Sequence, residues 1–219
     1  MTARRANSRE LEKAIDRALQ PLLARYGFHR QRERHFTIEL GEGCSGAVAL
    51  GTSCYAGQGC LALPYLWVVD HEVERLVAQF RGERLALHKT ATIVVTLKNA
   101  THKGDDEWEF HYGVDPVPRA KALAEAIGND AVPFMRRLSS RDDVLRWFPH
   151  ASNFNKEPYR VPVILLLLGR TEEASSYVDK VVARNAHLPN IGFQAEYRVF
   201  AAAFHAYVDG GRRGAGSIS

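Results

Sequence analysis

The stretch "YGFHRQRERHFTIEL" (26–40) is where the chain changes its period. Before it, Leu11, Ile15, Ala18, Leu19, Leu22 and Tyr26 recur at the three-and-four spacing of a single helix face, which predicts an amphipathic helix over 8–26. Asn7 and Glu10 have the spacing of a capping box at its start. Gly27 suits the left-handed residue that ends a helix, and Pro21 predicts a kink because it removes one backbone donor. Within the stretch, Phe36, Ile38 and Leu40 alternate with His35, Thr37 and Glu39, the period of a half-buried strand.

Parity limits how far back that strand runs. Extended to residue 28, it would place Arg30, Arg32 and Arg34 on the side of Phe36 and Ile38. Unpaired arginines on a core face cost several kcal/mol each. The strand is therefore expected to start near Arg34, with "HRQRE" (29–33) as wet loop or strand extension. Glu33 lies among these bases, and the preceding helix carries Glu10, Glu12 and Asp16. A solvated, partly self-compensated patch is the expectation, in preference to a phosphate site.

Outward from this point the period-two pattern persists. "GEGCSG" (41–46) turns the chain into a strand at 47–55, and "CLALPYLWVVD" (60–70) reads as the next, with Pro64 pushing it toward an edge or a bulge. A short helix at 71–80 carries Val73, Leu76, Val77 and Phe80. Strands follow at 90–98 and 107–114, the latter alternating Trp108, Phe110 and Tyr112 with Glu107, Glu109 and His111. The polar linker 99–106 between them suggests a hairpin.

From Asp115 the pattern is helical. Asp115 and Pro116 read as a cap and first-turn proline. Short helices are expected at about 131–138 and after Ser140, a boundary at "PHASNFNKE" (149–157), and helices at 158–168, 172–186 and 191–208. Gly169 ends the first of these three and Thr171 caps the second. In the last, Phe193, Tyr197, Phe200 and Phe204 form one stripe. Strands first and helices after predict an α+β protein. We expect an antiparallel sheet of about five strands packed with the N-terminal helix in residues 1–150, a helical extension packed on it at 151–208, and a disordered tail at 209–219.

The chain has 219 residues, 46% of them hydrophobic and 25% charged, ordinary for a soluble globular protein. Residues 1–35 hold nine Lys/Arg against four Asp/Glu, while the stretch from 36 to 211 is net acidic. A dedicated nucleic-acid binder more often spreads a basic stripe over its folded surface. The longest apolar run, "VPVILLLLG" (161–169), is too short to span a bilayer, and no secretory leader is read at the N-terminus. Cys44, Cys54 and Cys60 are odd in number and lack metal-ligand spacing, which favours a reduced, cytoplasmic protein with cysteines as buried small apolar residues.

Catalytic motifs fail on inspection. "GEGCSGAV" fits a kinase-type glycine loop, but no lysine lies between Lys13 and Lys89, and H-R-D and D-F-G are missing, so a hairpin turn is expected. His71 and Glu74 stand one helical turn apart, which a solvated helix start explains as well as a metal does. "GCSGA" lacks the final glycine of a nucleophile elbow. "LLLLGRTEEASSYVDKVV" (165–182) is one tetratricopeptide-like turn, and one repeat is too few for a solenoid, so it reads as a helical hairpin. Tyr65, Trp67, Trp108, Phe110 and Tyr112 are expected in the core, since a single-stranded nucleic-acid platform would place bases beside them.

The segments "LLARYGFHRQ", "RHFTIEL", "LPYLWVV", "EWEFHYGV" and "FMRRLSSRDDVLRWF" together resemble the bacterial domain-of-unknown-function family 4304, over residues 8–150. "LLLLGRTEEA" looks like an extension seen in such proteins, carrying the likeness toward residue 208. The resemblance implies an accessory or immunity-like role and carries no activity across. The reading is a cytoplasmic, non-catalytic binding protein with no cofactor and no metal, acting through protein–protein contacts. Arg30, Arg32, Arg34 and His111 are the candidate partner-binding residues. The alternatives are a nucleic-acid-associated protein using the basic N-terminal arm and the Arg30/Arg32/Arg34 loop, and an enzyme whose site assembles only in three dimensions.

Overall fold

A computed structural model describes residues 2–41, 43–55, 57–86, 90–101, 107–150, 157–187 and 192–215. It has two compact units: residues 1–69 with 93–144, and residues 70–92 with 145–219. The helix at 71–81, grouped by the sequence reading with residues 1–150, belongs to the second unit.

The first unit is built on a six-stranded sheet. Helix α1 (Thr2–Ala24) precedes strands β1 (His29–Arg32), β2 (His35–Gly41), β3 (Cys44–Tyr55) and β4 (Gly59–Asp70). Strands β5 (Ile93–Thr96) and β6 (Trp108–His111) complete it. The order is β1-β2-β3-β4-β5, with β6 also on β4, and the α+β class with an antiparallel sheet is as expected. Helix α1 begins at Thr2, so residue 7 lies inside the helix and is no cap, and Pro21 is contained within it. Gly27 takes φ 88°, and Phe28 N–H closes back on Leu23 O, as the stop signal predicts. Ile15, Leu19 and Leu23 are fully buried.

Residues 29–32 form a strand of their own, where a loop or extension was expected. All four are exposed, so they carry no apolar alternation, and backbone pairing with β2 alone defines them. Glu33 and Arg34 make the two-residue turn, with Arg34 left-handed at φ 58°. Gly41 at the end of β2 and Gly43 just before β3 both take positive φ, where the glycine loop was read as a hairpin turn.

Pro64 is a correction. It lies in an internal strand, with β3 on one side and both β5 and β6 on the other. Gly59–Ala62 pair with β6 and Tyr65–Val68 with β5. The proline falls between those two partners, outside the residues that pair with either.

Helix α3 (Leu97–Thr101) follows β5 directly, shortening that strand relative to the sequence pattern. Helix α4 (Val117–Ala126) starts with Asp115 Oδ1 accepting from Val117 N–H at 3.1 Å. A π-helical turn over Ile127–Ala131 joins α4 to α5 (Val132–Arg137), and α6 (Arg141–Trp147) follows. The Tyr26 ring occupies the space where a Cβ on Gly128 would sit, so that position in the π turn has to be glycine.

In the second unit, α2 (His71–Arg81) packs with α7 (Glu157–Leu167) and α9 (Phe193–Ala215), and α8 (Thr171–Arg184) completes the hairpin with α7. Asp70 caps α2, its Oδ1 accepting from Glu72 N–H and Val73 N–H at 3.0 Å each. Thr171 is the first residue of α8 and gives no side-chain cap; Arg170 holds the cap position. Helix α9 runs on to Ala215, past residue 208 where the apolar pattern stops. Phe80 meets Phe200 and Phe204 edge-on, and Tyr159 meets Phe200 in the same way. Tyr197, Phe200 and Phe204 are buried, but Phe193 is 41% exposed, stacked on Tyr197 and edge-on to Tyr159. No helix among the described residues is long and apolar enough to cross a membrane.

Candidate functional site

The three arginines of the opening stretch do not form one surface. Arg30 reaches Asp16 on α1 at 2.6 Å. Arg34 reaches Glu12 at 2.8 Å, and its backbone N–H donates to Asp16 Oδ1 at 2.8 Å. Thr52 Oγ1 donates to the same Glu12 oxygen at 2.5 Å and also contacts the Arg34 guanidinium. Two carboxylates of α1 thus hold the β1–β2 turn, which keeps a non-glycine residue left-handed. Arg32 is exposed and pairs by register with His35. His35 is buried, edge-on to Trp67, although the alternation placed it on the outward face. Burial, and then the Arg32 charge, hold the His35 pKa below the usual histidine value.

His111 lies elsewhere. Strands β2, β3 and β4 stand between β1 and β6, so it shares no site with the arginines. At about 4.8 Å per strand the separation is roughly 19 Å. His111 is exposed, and its Nε2 lies 3.6 Å from Glu109 Oε2.

Around His111 the surface is concave. A cavity of about 460 Å³ runs along Tyr55, Gly59, Cys60 and Leu61, and Glu109, Phe110 and His111 close its other side. A second cavity of about 320 Å³ shares Glu109, Phe110 and His111 and continues to Val114, Pro116 and Arg119. The two form one groove along β6. Local sequence explains its shape. Gly59 pairs with His111 and Cys60 with Phe110, and a Cβ on Gly59 would collide with the Phe110 carbonyl, so glycine lets the strands close here. Trp108 and Phe110 point inward and are buried, as the core reading predicted, while Glu109 and His111 point out. The Arg119 guanidinium covers the Trp108 ring at 4.5 Å. Tyr55 and Val114, which line the two cavities, are exposed at 51% and 60%, an apolar surplus at the groove's two ends. Among the described residues, no strand pairs with the far edge of β6.

The cysteines correct the reading of three buried thiols. Cys54 and Cys60 form a disulfide, with Cα atoms 4.0 Å apart, and only Cys44 is a free thiol. The two glycines of "YAGQG" (55–59) bring the strand ends together, and this Gly-rich turn between two cysteines is the signal the spacing argument passed over. Cys54 Sγ lies 3.9 Å from Glu12 Oε1, a contact without a hydrogen bond because a disulfide sulfur carries no proton.

Glu74, weighed as a metal ligand with His71, is buried and committed. Arg160 Nε and Nη2 donate to its two oxygens at 2.6 and 2.9 Å, and Thr92 Oγ1 donates to Oε1 at 3.0 Å. Among the described residues, no cluster of three His, Cys, Asp or Glu has the arrangement of a metal site. No family model, no curated protein and no solved structure matches the chain.

Proposed function

We propose that this chain is a non-catalytic binding module that takes an extended segment of another protein in the groove along β6. The observation that carries the reading is the meeting of two cavities at Glu109, Phe110 and His111, on a strand whose far edge pairs with no strand among the described residues. An extended segment added there would gain main-chain hydrogen bonds from the edge and side-chain contacts from the cavities. The apolar ends at Tyr55 and at Val114 supply area, and Glu109 and His111 supply polar contacts between them. The proposal keeps a cytoplasmic location and an accessory, immunity-like role of the kind the likeness to family 4304 implies. The nucleic-acid alternative is weakened by the ion pairs of Arg30 and Arg34, which set two of the three arginines of that loop against carboxylates of α1.

The test is site-specific photo-crosslinking in the host cell. A photoreactive residue at His111 should capture one protein, and the same residue at Glu125, exposed on α4, should not. Tyr55→Asp with Val114→Asp should abolish the capture while leaving the circular dichroism spectrum unchanged. Equal capture from both positions, or capture that survives the double variant, would refute the groove as the binding surface. Micromolar binding of the parent to mixed-sequence DNA or RNA that weakens steeply with salt would favour the alternative.

A further inference from the structure

The disulfide reaches the wall of this groove through Cys60, and its two residues differ in exposure. Cys54 is half-exposed on β3, whereas Cys60 is 1% exposed and borders the larger cavity. The bond links residues six apart on strands adjacent in the sheet. A crosslink over so short a loop removes little freedom from the unfolded chain compared with one joining distant segments. The two strands are also held without it, β4 by its pairing with β6 and β5, and β3 by its pairing with β2 and by the Thr52 bond to Glu12. Cys44 plays no part, because it is buried at the opposite end of the twelve-residue strand β3. At about 3.3 Å per residue the ten-residue separation from Cys54 is roughly 33 Å.

We propose that Cys54 and Cys60 are a thiol–disulfide exchange site for a small dithiol, and that its redox state sets the mobility of the groove wall. A thiolate of the dithiol attacks the sulfur of Cys54, the more exposed residue of the two, forming a mixed disulfide and breaking the bond to Cys60. Cys60 leaves as a thiolate and takes a proton from solvent in the cavity. The second thiol of the reductant then attacks its own sulfur in the mixed disulfide, releasing Cys54, which is protonated in turn. Two electrons pass to the protein, and the dithiol departs as a cyclic disulfide. Cys60 faces Phe110 and Gly59 faces His111, so freeing the turn loosens the inner partner of β6. In a reducing compartment the dithiol form prevails, which reconciles the bond with a cytoplasmic location. The exchange does not depend on which segment fills the groove.

The experiment equilibrates the native full chain in graded ratios of reduced to oxidised dithiothreitol, quenches with acid and alkylates in urea before mass spectrometry. The expected result is a two-electron transition from one to three alkylated cysteines with an unchanged circular dichroism spectrum. Hydrogen exchange at 54–60 and 108–112 should rise by about tenfold on reduction, because local opening tracks local contacts, while 35–40 stays protected. Cys54→Ser with Cys60→Ser should fold, show the faster exchange and ignore the redox ratio. Reduction that occurs only together with unfolding, or a double variant that fails to fold, would mean a structural staple. Three reactive thiols at every ratio would mean that the bond does not form, and unchanged exchange at 108–112 would separate it from the groove. A failed crosslinking test at His111 leaves the thiol titration as it is, so the two proposals fall separately.

Discussion

Arg160 meets Glu74 and Arg30 meets Asp16 at the same 2.6 Å, but in different surroundings. The side chains of the first pair are 5% and 2% exposed; in the second pair the arginine is 37% exposed and only the carboxylate is shut away. Away from water, each charge loses its hydration, and the loss is offset only when every lone pair and proton finds a partner. That is the state of Glu74, which takes two bonds from Arg160 and a third from Thr92. Asp16 is served differently. The backbone N–H of Arg34 does the local holding, and Arg30 adds a charge that water largely screens. A short distance is therefore no measure of what a pair does. The first pair specifies how α2, α7 and the Thr92 segment fit together; the second fastens a turn.

Breaking the buried pair is expected to have the largest effect. Arg160→Met leaves an unpaired carboxylate in the interior and should cost about 3–5 kcal/mol in chemical denaturation, whereas Glu74→Leu with Arg160→Met should recover most of the loss. Equal losses in both proteins would mean that packing around α7, and not charge, governs this site. Next comes Asp16→Ala, which strips the buried acceptor from the Arg34 N–H; a loss of about 1.5–3 kcal/mol is expected, as for a bond to a charged group. Arg30→Gln, on the wet side of the same pair, should change stability by no more than about 1 kcal/mol, with the difference fading at high salt.

The smallest effect belongs to His35 and depends on pH. Its folded pKa is depressed by burial, then by Arg32, below the 6.5 of the free group. As pH falls below that value the unfolded chain takes up a proton that the native chain resists, so stability present above about pH 6.5 declines on the acid side. Urea denaturation at pH 7 and pH 5.5 should show the decline, and His35→Phe should reduce it. An identical decline in the variant would assign it to the carboxylates.

The same contrast explains what could be read from the chain. Most strands and helices announced themselves because one face is buried and apolar, as in Phe36–Leu40 or the Tyr197–Phe204 stripe. Strand β1 stayed hidden because its four residues are all exposed and its identity lies in backbone pairing. The self-compensation of the arginine patch was legible from the nearby acids of α1, although not that Asp16 would serve both Arg30 and the Arg34 N–H. Glu74 looked like an acid in a helix's first turn, and its partner is 86 residues away. His111 was a candidate from alternation alone, but its groove depends on which residues of β4 lie opposite, and that is set by long-range register.

The proline at position 64 has a consequence for how damage spreads. Because β4 changes partners there, the ladders to β6 and β5 have no residue of β4 in common. The break acts as a firebreak. On the β5/β6 side of β4, motion that starts at the groove has no continuous ladder by which to travel into the Tyr65–Val68 half of the strand, where Val68 and Leu66 are 1% and 0% exposed and β3 pairs along the other side. The molecule thus has a sheet edge that can work loose for a visitor while the centre beside it stays shut.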